Sequence, residues 1–295
     1  MDTPTSNQTF VLTDHPAGSA ELFGKRFPAG QEIPAWMEGF WTRLGGGAGP
    51  APLEMPALLD GLGHGPAGVI HVRRAGVSQY RVVRDHLASG APLDRPVICL
   101  ADEGDGFAGQ AGRSWRAVQG NLHLTLALPC DLAAGPESVA LTALHAVAAH
   151  RAVAALRPGP ELPQPGIKWV NDIHMGGGKV GGVLTAVRSQ EGRLTSVVLG
   201  IGLNVGTAPA VPASRFTPGA MCLATAWPGG CPPTGTVLLA LLEEIESLVR
   251  TLRAEGPDPV LAAYREASLV IGRRVGIWPV DTPDEGAQHD RHSER

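Results

Sequence analysis

Residues 166–184 read G-I-K-W-V-N-D-I-H-M-G-G-G-K-V-G-G-V-L, and this stretch organises the rest of the chain. Two apolar segments, Ile167 to Val170 and Val180 to Leu184, flank three consecutive glycines. Apolar segments separated by a glycine-rich turn are typical of two antiparallel strands joined as a hairpin. We therefore predict a hairpin here and expect the other elements to assemble around it.

Four polar side chains interrupt this apolar pattern. Lys168, Asn171 and Asp172 are predicted on the first strand, and Lys179 enters the second strand just after the turn. Burying a lysine or an aspartate in a strand costs free energy unless a partner satisfies it. Two lysines can hold a carboxylate or a phosphate, and an aspartate can hold a divalent metal. The set suits activation of a carboxylic acid by a nucleotide. The alternative is that Asn171 and Asp172 begin the turn while both lysines are solvated.

Three motifs carry a resemblance to a known family. K-W-V-N-D at 168–172 followed by G-K-V-G-G-V-L at 178–184 resembles the core motif of biotin protein ligases, which share a superfamily with lipoate ligases and octanoyl transferases. G-Q-A-G-R-S-W at 109–115 resembles the end of that family's ligand loop, and G-I-G-L-N-V at 200–205 resembles a strand near the nucleotide. The resemblance covers residues 77–280, about two thirds of the chain.

The resemblance implies both a fold and a reaction. The fold is α/β, a mixed β-sheet with helices packed on one side, like the class II biotin/lipoyl synthetase catalytic domain. In the reaction, ATP and Mg²⁺ convert biotin to biotinyl-AMP, and a lysine of an acceptor carboxylase carrier domain then displaces AMP. The partner is thus a protein with a biotinyl or lipoyl domain, and the resemblance leaves a homodimer open.

The resemblance also implies the site residues. Lys179, Arg113 and Lys168 are the implied catalytic residues, and Asp172 is also the implied magnesium ligand. The implied substrate- and nucleotide-binding residues are Ser78, Gln79, Gly109, Gln110, Gly112, Trp115, Asn121, Trp169, Asn171, Asp172, Gly181, Gly182 and Asn204. The ligand loop departs from the family pattern, because positions that commonly hold arginines and a glutamine are Ala108, Gln110 and Gly104.

Three alternatives to a biotin ligase are weighed. A lipoate or octanoate ligase or transferase would use a similar scaffold with a longer apolar slot, although K-W-x-N-D with a short glycine turn matches the biotin branch better. A non-catalytic protein that binds an acyl group or nucleotide would fit the altered ligand loop. A DNA-binding repressor would need a basic recognition helix near the N-terminus, and the first seventy residues contain no such pattern.

Composition limits the classes of function. The chain has 295 residues, 43% of them hydrophobic and 18% charged, as in globular proteins. The formal net charge of -4 predicts no general affinity for nucleic acid. The N-terminus lacks a basic region followed by an apolar core, so we expect a cytoplasmic protein without a membrane partner. The four cysteines show no C-x-x-C spacing and are expected to be reduced.

Four regions are predicted along the chain. Residues 1–68 form an N-terminal extension of unknown role, with a strand at 10–12 and helices at 32–44 and 53–62. Residues 69–271 form the catalytic domain. Residues 272–280 resemble the first strand of a truncated SH3-like C-terminal element, and residues 281–295 form a polar tail expected to be disordered.

Within the catalytic domain, periodicity predicts further strands and helices. Strands are expected at 69–72, 96–101, 120–128 and 194–205, and helices at 78–87, 136–156, 236–255 and 258–269. Alternation at 120–128 predicts a strand with one solvent-exposed face, and His123 on that face is expected to be a surface or groove residue rather than a metal ligand or a catalytic base. His145 and His150 are expected on a helix surface.

Overall fold

Nine strands form a single sheet in the part of the chain that the computed structural model describes, residues 9–23, 44, 51–55, 59, 62, 67–211 and 219–276. The strands are β1 Thr9–Thr13, β2 Ala51–Met55, β3 Gly68–Ala75, β4 Val97–Gly104, β5 Leu122–Ala133, β6 Gly166–Lys168, β7 Asp172–Met175, β8 Gly178–Gln190 and β9 Arg193–Leu203. Their order across the sheet is β2-β1-β3-β4-β5-β9-β8-β7-β6.

The sheet is mixed, as predicted. Strands β1, β3 and β4 run parallel to one another. Every other pairing, from β4 with β5 across to β7 with β6, is antiparallel, as is β1 with β2. The long β5, β8 and β9 form the centre of the antiparallel half, and the predicted hairpin lies at its edge.

Helices cover the two faces of the sheet unequally. The helices are α1 Pro16–Phe23, α2 Gln79–Ala88, α3 Pro136–Ala155, α4 Leu223–Ala226, α5 Thr234–Glu255 and α6 Asp258–Ala267. The predicted layer on one face consists of α3, α5 and α6, which share the larger hydrophobic core. Helix α2 packs on the opposite face in a smaller core. Strand β4 serves both cores, since Ile98 belongs to the larger and Cys99 to the smaller.

Helix α3 is the central helix of the larger core. It is long and apolar enough to cross a membrane by length and composition, but 61% of that apolar window is buried inside the protein. Such burial is typical of a core helix. The prediction that His145 lies on the surface of this helix is wrong, because its side chain is 1% exposed and lies 3.1 Å from the Thr185 hydroxyl. Burial lowers the pKa of His145 to about 3.

Two described strands of the N-terminal extension join the catalytic sheet. The predicted strand at 10–12 is confirmed as β1, which lies between β2 and β3. The helix predicted at 53–62 is wrong over its first residues, because Ala51–Met55 is a strand paired with β1. Pro52 is compatible with β2 because this strand lies at the sheet edge. The helix predicted at 32–44, apart from Leu44, lies outside the described residues.

The hairpin differs from its prediction in one respect. The strand that enters the glycine turn is β7, Asp172–Met175, and the segment before it forms a separate short strand, β6, antiparallel to β7. The turn itself is confirmed, with positive φ at Gly176 and Gly177. Asp172 therefore lies on the middle strand of a three-stranded unit, between β6 and β8.

The C-terminal prediction is partly contradicted. The described part of the strand predicted at 272–280, residues 272–276, is turn and irregular backbone. Residues 277–280 and the tail predicted to be disordered lie outside the described residues.

Candidate active site

A cavity of about 360 Å³ opens on the face of the sheet that carries α2. Its walls come from the first turn of α2, the loop that follows β4, and strands β5, β7, β8 and β9. Tyr80 and Phe107 contribute aromatic rings to a largely apolar lining. A concave, mostly apolar cavity with a few polar groups is the usual form of a small-molecule site.

Strand register arranges four lining residues in one row. His123 on β5 pairs with Gly202 on β9, Gly202 pairs with Gly182 on β8, and Gly182 pairs with Asp172 on β7. Directly paired residues of antiparallel strands point to the same face. Three strand spacings separate the ends of the row, so the backbones at His123 and Asp172 are about 14 Å apart.

The two glycines of the row leave space that neighbouring side chains use. A Cβ atom on Gly202 would lie 2.5 Å from the Trp115 ring, and one on Gly182 would lie 3.4 Å from Lys179 Nζ. Gly200, two residues before Gly202, would place a Cβ 2.7 Å from the Tyr80 ring. The absence of side chains therefore lets these groups lie directly on the floor of the cavity.

An ion pair marks the β7 end of the row. Lys179 Nζ lies 2.7 Å from Asp172 Oδ1, with side-chain exposures of 21% and 13%. The ammonium also lies 5.7 Å from the centre of the Trp115 ring, a cation–π distance. Because the pair is largely withdrawn from water, its charges act more strongly on a bound ligand than surface charges would.

The loop between β4 and β5 folds back over the cavity. Isolated bridges join Gly104 to Ala117 and Ala108 to Ser114, and the Trp115 backbone N–H donates to Phe107 at 2.9 Å. Arg113 lines the cavity, is exposed, and donates its Nε–H to the Gln110 carbonyl at 3.2 Å. The other N–H donors of a guanidinium suit phosphate.

His123 and Gln79 form the wall at the β5 end of the row. Both are 2% exposed, so the predicted solvent-exposed face of β5 is wrong, whereas the expectation that His123 is a groove residue agrees with its place in the cavity wall. The first turn of α2 and the Phe107 ring, 5.8 Å from the imidazole, shield this side of β5. Burial lowers the pKa of His123, against smaller opposing effects of a hydrogen bond to Ala101 and the charge of Asp102.

Three asparagine side chains hold the loops around the cavity. Asn171 donates to the Val183 carbonyl at 2.7 Å, and Asn204 donates to the Met221 carbonyl at 3.0 Å. Asn121 accepts from two backbone N–H groups and donates to the Thr207 carbonyl at 2.9 Å. These bonds fix the segment before β7 to Val183 of β8 and hold the backbone that follows β9.

The structure brings most of the predicted site residues together. The cavity is lined by Ser78, Gln79, Gly109, Gln110, Arg113, Trp115, Asn171, Asp172, Lys179, Gly182 and Asn204. Five predicted residues are not in the lining: Lys168, Gly112, Asn121, Trp169 and Gly181. Lys168 pairs with Asp172 across β6 and β7, whereas Trp169 is 62% exposed and packs its ring against Tyr264.

Sequence reasoning missed a further group of lining residues, which includes Tyr80, Phe107, His123, Thr125, Gly200 and Gly202. One signal was available, because glycines two residues apart on a strand leave space on the same face. The role of His123 had no local signal. Its position depends on the pairing of β5 with β9, far along the chain.

Comparison with known proteins places this arrangement in a family. The model of the biotin/lipoate A/B protein ligase family matches residues 78–204. A biotin--[acetyl-CoA-carboxylase] ligase from Mycobacterium tuberculosis is 31% identical over 232 residues, covering 77% of this chain and 81% of the relative. The bifunctional ligase/repressor BirA of Bacillus spizizenii is 33% identical over 111 residues, 37% of this chain and 32% of that protein.

Solved structures share the fold. A biotin protein ligase from Leishmania major, in complex with biotinyl-5-AMP, gives a TM-score of 0.54 at 19% identity and covers 75% of this chain and 87% of that one. The biotin protein ligase from Aquifex aeolicus, in complex with biotin and ATP, gives 0.52 at 20% identity, covering 68% and 78%. The chain belongs to the biotin/lipoate A/B protein ligase family.

Proposed function

We propose that the protein is a biotin protein ligase. It activates biotin with ATP to biotinyl-AMP and transfers the biotinyl group to a lysine of an acceptor carboxylase. The names of its relatives support this function. The observation that carries it is the largely buried Lys179–Asp172 pair in the wall of an apolar cavity floored by glycines.

Lys179 is the central charge of the activation step. A carboxylate oxygen of biotin attacks the α-phosphorus of ATP, and pyrophosphate leaves. Negative charge accumulates on the phosphoryl oxygens in the transition state, and an ammonium held beside them stabilises that charge. Asp172 holds the ammonium in position, and the Trp115 ring confines it from the other side. Lys168, paired in register with Asp172, adds positive charge at this end.

The loop of residues 105–117 serves the nucleotide. Arg113 would bind the adenylate phosphate with its remaining N–H donors. A loop folded over the cavity also keeps water from the mixed anhydride until an acceptor arrives. In the second step the acceptor lysine attacks the biotinyl carbonyl, an amide forms and AMP leaves with the bonding electron pair.

The protein side chains at this site can hold a magnesium ion only together with the phosphates of a bound nucleotide. The described residues contain no group of three or more histidine, cysteine, aspartate or glutamate side chains able to hold a metal. Asp172 supplies one carboxylate, and Mg²⁺ commonly takes one or two protein carboxylates with substrate phosphates and water. Mg²⁺ would neutralise phosphate charge there. The cytoplasmic location and a homodimer stay predictions.

The test is ATP-dependent pyrophosphate release by the purified protein with biotin, lipoate or octanoate added separately, followed by mass analysis of the acyl-AMP. We expect release and a biotinyl-AMP mass with biotin. Release with octanoate or lipoate alone would keep the mechanism and reassign the substrate. Binding of biotin without pyrophosphate release would contradict a ligase.

Lys179→Ala provides the sharpest variant for this test. Losing one group that stabilises transition-state charge costs about 10²- to 10³-fold in rate. We expect that loss in pyrophosphate release per folded molecule, with the unfolding midpoint also lowered because the largely buried Asp172 loses its partner. The control is Arg193→Ala, which removes an exposed ion pair with Asp131 on β5 outside the cavity. Near-parental release by Lys179→Ala would overturn the role given to this lysine.

A further inference from the structure

A buried chain of hydrogen bonds joins helix α1 of the N-terminal extension to the end of β4. Ser19 of α1 places its Oγ 2.7 Å from Nδ1 of His71 on β3, and Nε2 of His71 lies 2.8 Å from Oδ1 of Asp102 on β4. Ser19 is 0% exposed and His71 is 1% exposed. One imidazole therefore connects α1 to a residue that lies three positions before the loop of residues 105–117.

Both ring nitrogens of His71 are satisfied whatever the protonation state of the ring. A carboxylate only accepts hydrogen bonds, so Nε2 carries a hydrogen and donates it to Asp102. A hydroxyl can donate or accept, so Ser19 pairs with Nδ1 whether or not that nitrogen carries a hydrogen. Hydrogen bonds on two sides fix the orientation of the buried imidazole, and the ring links its two partners rigidly.

Helix α1 is itself held against the catalytic domain. Its Leu22 carbonyl approaches Gly235 of α5 so closely that a Cβ atom on this glycine would have no room. Asp14, which precedes the helix, accepts a hydrogen bond from the Arg73 backbone N–H at 2.7 Å. The helix is thus a fixed support for Ser19.

The other end of the chain lies directly behind the cavity wall. Asp102 follows Ala101, whose carbonyl oxygen lies 3.2 Å from His123 Nδ1. Two residues after Asp102, the Phe107 ring packs on Gly104 and occupies the space of a Cβ there. His123 and Phe107 line the cavity, and strand alternation places the Asp102 side chain on the opposite face of the sheet. The hydrogen-bond chain therefore holds the end of β4 from behind.

Two other side-chain contacts at the start of the loop are exposed. Arg74 pairs with Glu103 at 3.2 Å and with Asp105 at 2.6 Å, but these side chains are 53%, 35% and 68% exposed. Such surface ion pairs contribute little to stability. The Asp102 side chain is only 25% exposed, and its partner His71 is buried, so their contact is the stronger attachment.

We propose that Ser19 and His71 are positioning residues that hold the loop of residues 105–117 closed through Asp102, so that the N-terminal extension helps to retain the acyl-adenylate. The proposal rests on the proposed function and gives a role in it to a helix that precedes the residues matched by the family model. If the buried histidine served only the stability of the fold, its loss would lower stability and leave retention unchanged.

Retention is measured as pyrophosphate release by the purified protein with ATP and biotin in the absence of an acceptor. An enzyme that keeps its adenylate stops after the first turnover, whereas one that loses the adenylate continues. The variants are Ser19→Ala, Asp102→Ala and Asp102→Asn, whose amide oxygen can still accept from His71. Hydrogen exchange of the Gly109 and Trp115 amides, which bond to carbonyls within the loop, reports loop opening without any ligand.

Two control variants separate this role from general effects. Glu103→Gln removes the neighbouring carboxylate, which pairs with the exposed Arg74. Val260→Ala weakens the larger core at the fully buried start of α6 and so reproduces a loss of stability at a distance from the chain. All rates are expressed per folded molecule.

We expect acceptor-free release after the first turnover to rise about 5- to 30-fold in Ser19→Ala and Asp102→Ala, the effect of losing one buried hydrogen bond from the closed form. The two loop amides should exchange faster by a similar factor. Asp102→Asn and both controls should behave like the parent. Because Ser19 and Asp102 act through one imidazole, the variant that combines Ser19→Ala with Asp102→Ala should resemble the stronger single variant.

Parental retention in Ser19→Ala and Asp102→Ala would overturn the inference, as would an equal increase in Val260→Ala. The proposed function would stand in either case if the parent forms biotinyl-AMP. A parent that forms no acyl-adenylate would overturn the function instead. Faster loop exchange in Ser19→Ala and Asp102→Ala, but not in Asp102→Asn, would then still support the positioning of the loop by α1.

Discussion

Gly202→Ala tests whether the glycine floor of the cavity is required for activity. The new Cβ would lie 2.5 Å from Cζ2 and 2.7 Å from Cε2 of Trp115. The backbone of β9 accepts alanine at this position, because Gly202 lies in a regular strand paired on both sides. The perturbation therefore acts on the ring and on the loop that carries it.

The size of the effect follows from these distances. Carbon atoms prefer separations of about 3.5–4.0 Å, so the ring must retreat by roughly 1 Å. The ring is attached to a loop held by the Trp115 backbone bond to Phe107 and by two isolated bridges. Forcing such a shift costs about 1–3 kcal/mol, which corresponds to about 5- to 150-fold in the population of the closed loop.

The assay is kcat/KM for biotin-dependent pyrophosphate release, with thermal unfolding measured in parallel. We expect kcat/KM to fall by that factor. Gly76→Ala is the matched control, because a Cβ there meets no atom within 4 Å. If the clash is the cause, Gly202→Ala combined with Trp115→Phe should be no less active than Trp115→Phe alone. Parental kcat/KM in Gly202→Ala would refute the reasoning.

Three predictions concern stability, measured by urea unfolding. Because burial lowers the pKa of His145 to about 3, the unfolded chain binds a proton at a higher pH than the folded protein does. The contribution of His145 to the free energy of unfolding is therefore complete above about pH 6.5 and decreases toward pH 3, by up to about 1.4 kcal/mol per pH unit. His145→Leu should reduce this dependence of stability on pH. Equal slopes would contradict it. Ser19→Ala removes the hydroxyl 2.7 Å from His71 Nδ1 and should lower the free energy of unfolding by about 1–3 kcal/mol. An unchanged free energy of unfolding would show that α1 contributes nothing to the stability of the fold. Tyr264→Phe removes the 2.7 Å bond to the Val170 carbonyl and should cost about 1 kcal/mol, whereas Tyr264→Leu should cost more through lost packing.

Most elements of the catalytic domain could be predicted because their signals are local. Strand β3 and helix α3 are largely apolar segments and helix α2 is amphipathic, and each lies within a few residues of its prediction. Errors occurred where tertiary contacts outweighed local pattern. Strand β2 exists because β1 supplies a partner, and the alternation of β5 was misread because both of its faces are covered.

The candidate site divides in the same way. Lys179, Asp172 and the glycine turn lie within eight residues, so their meeting is a consequence of a hairpin that the sequence predicts. By itself the sequence therefore determined the charged end of the cavity and the family motif. Gln79 and His123 are 44 positions apart, and His123 and Gly202 are farther still. Only the tertiary structure decided that they form the other end, because strand register and the docking of α2 are set by pairings between distant segments that no local pattern encodes.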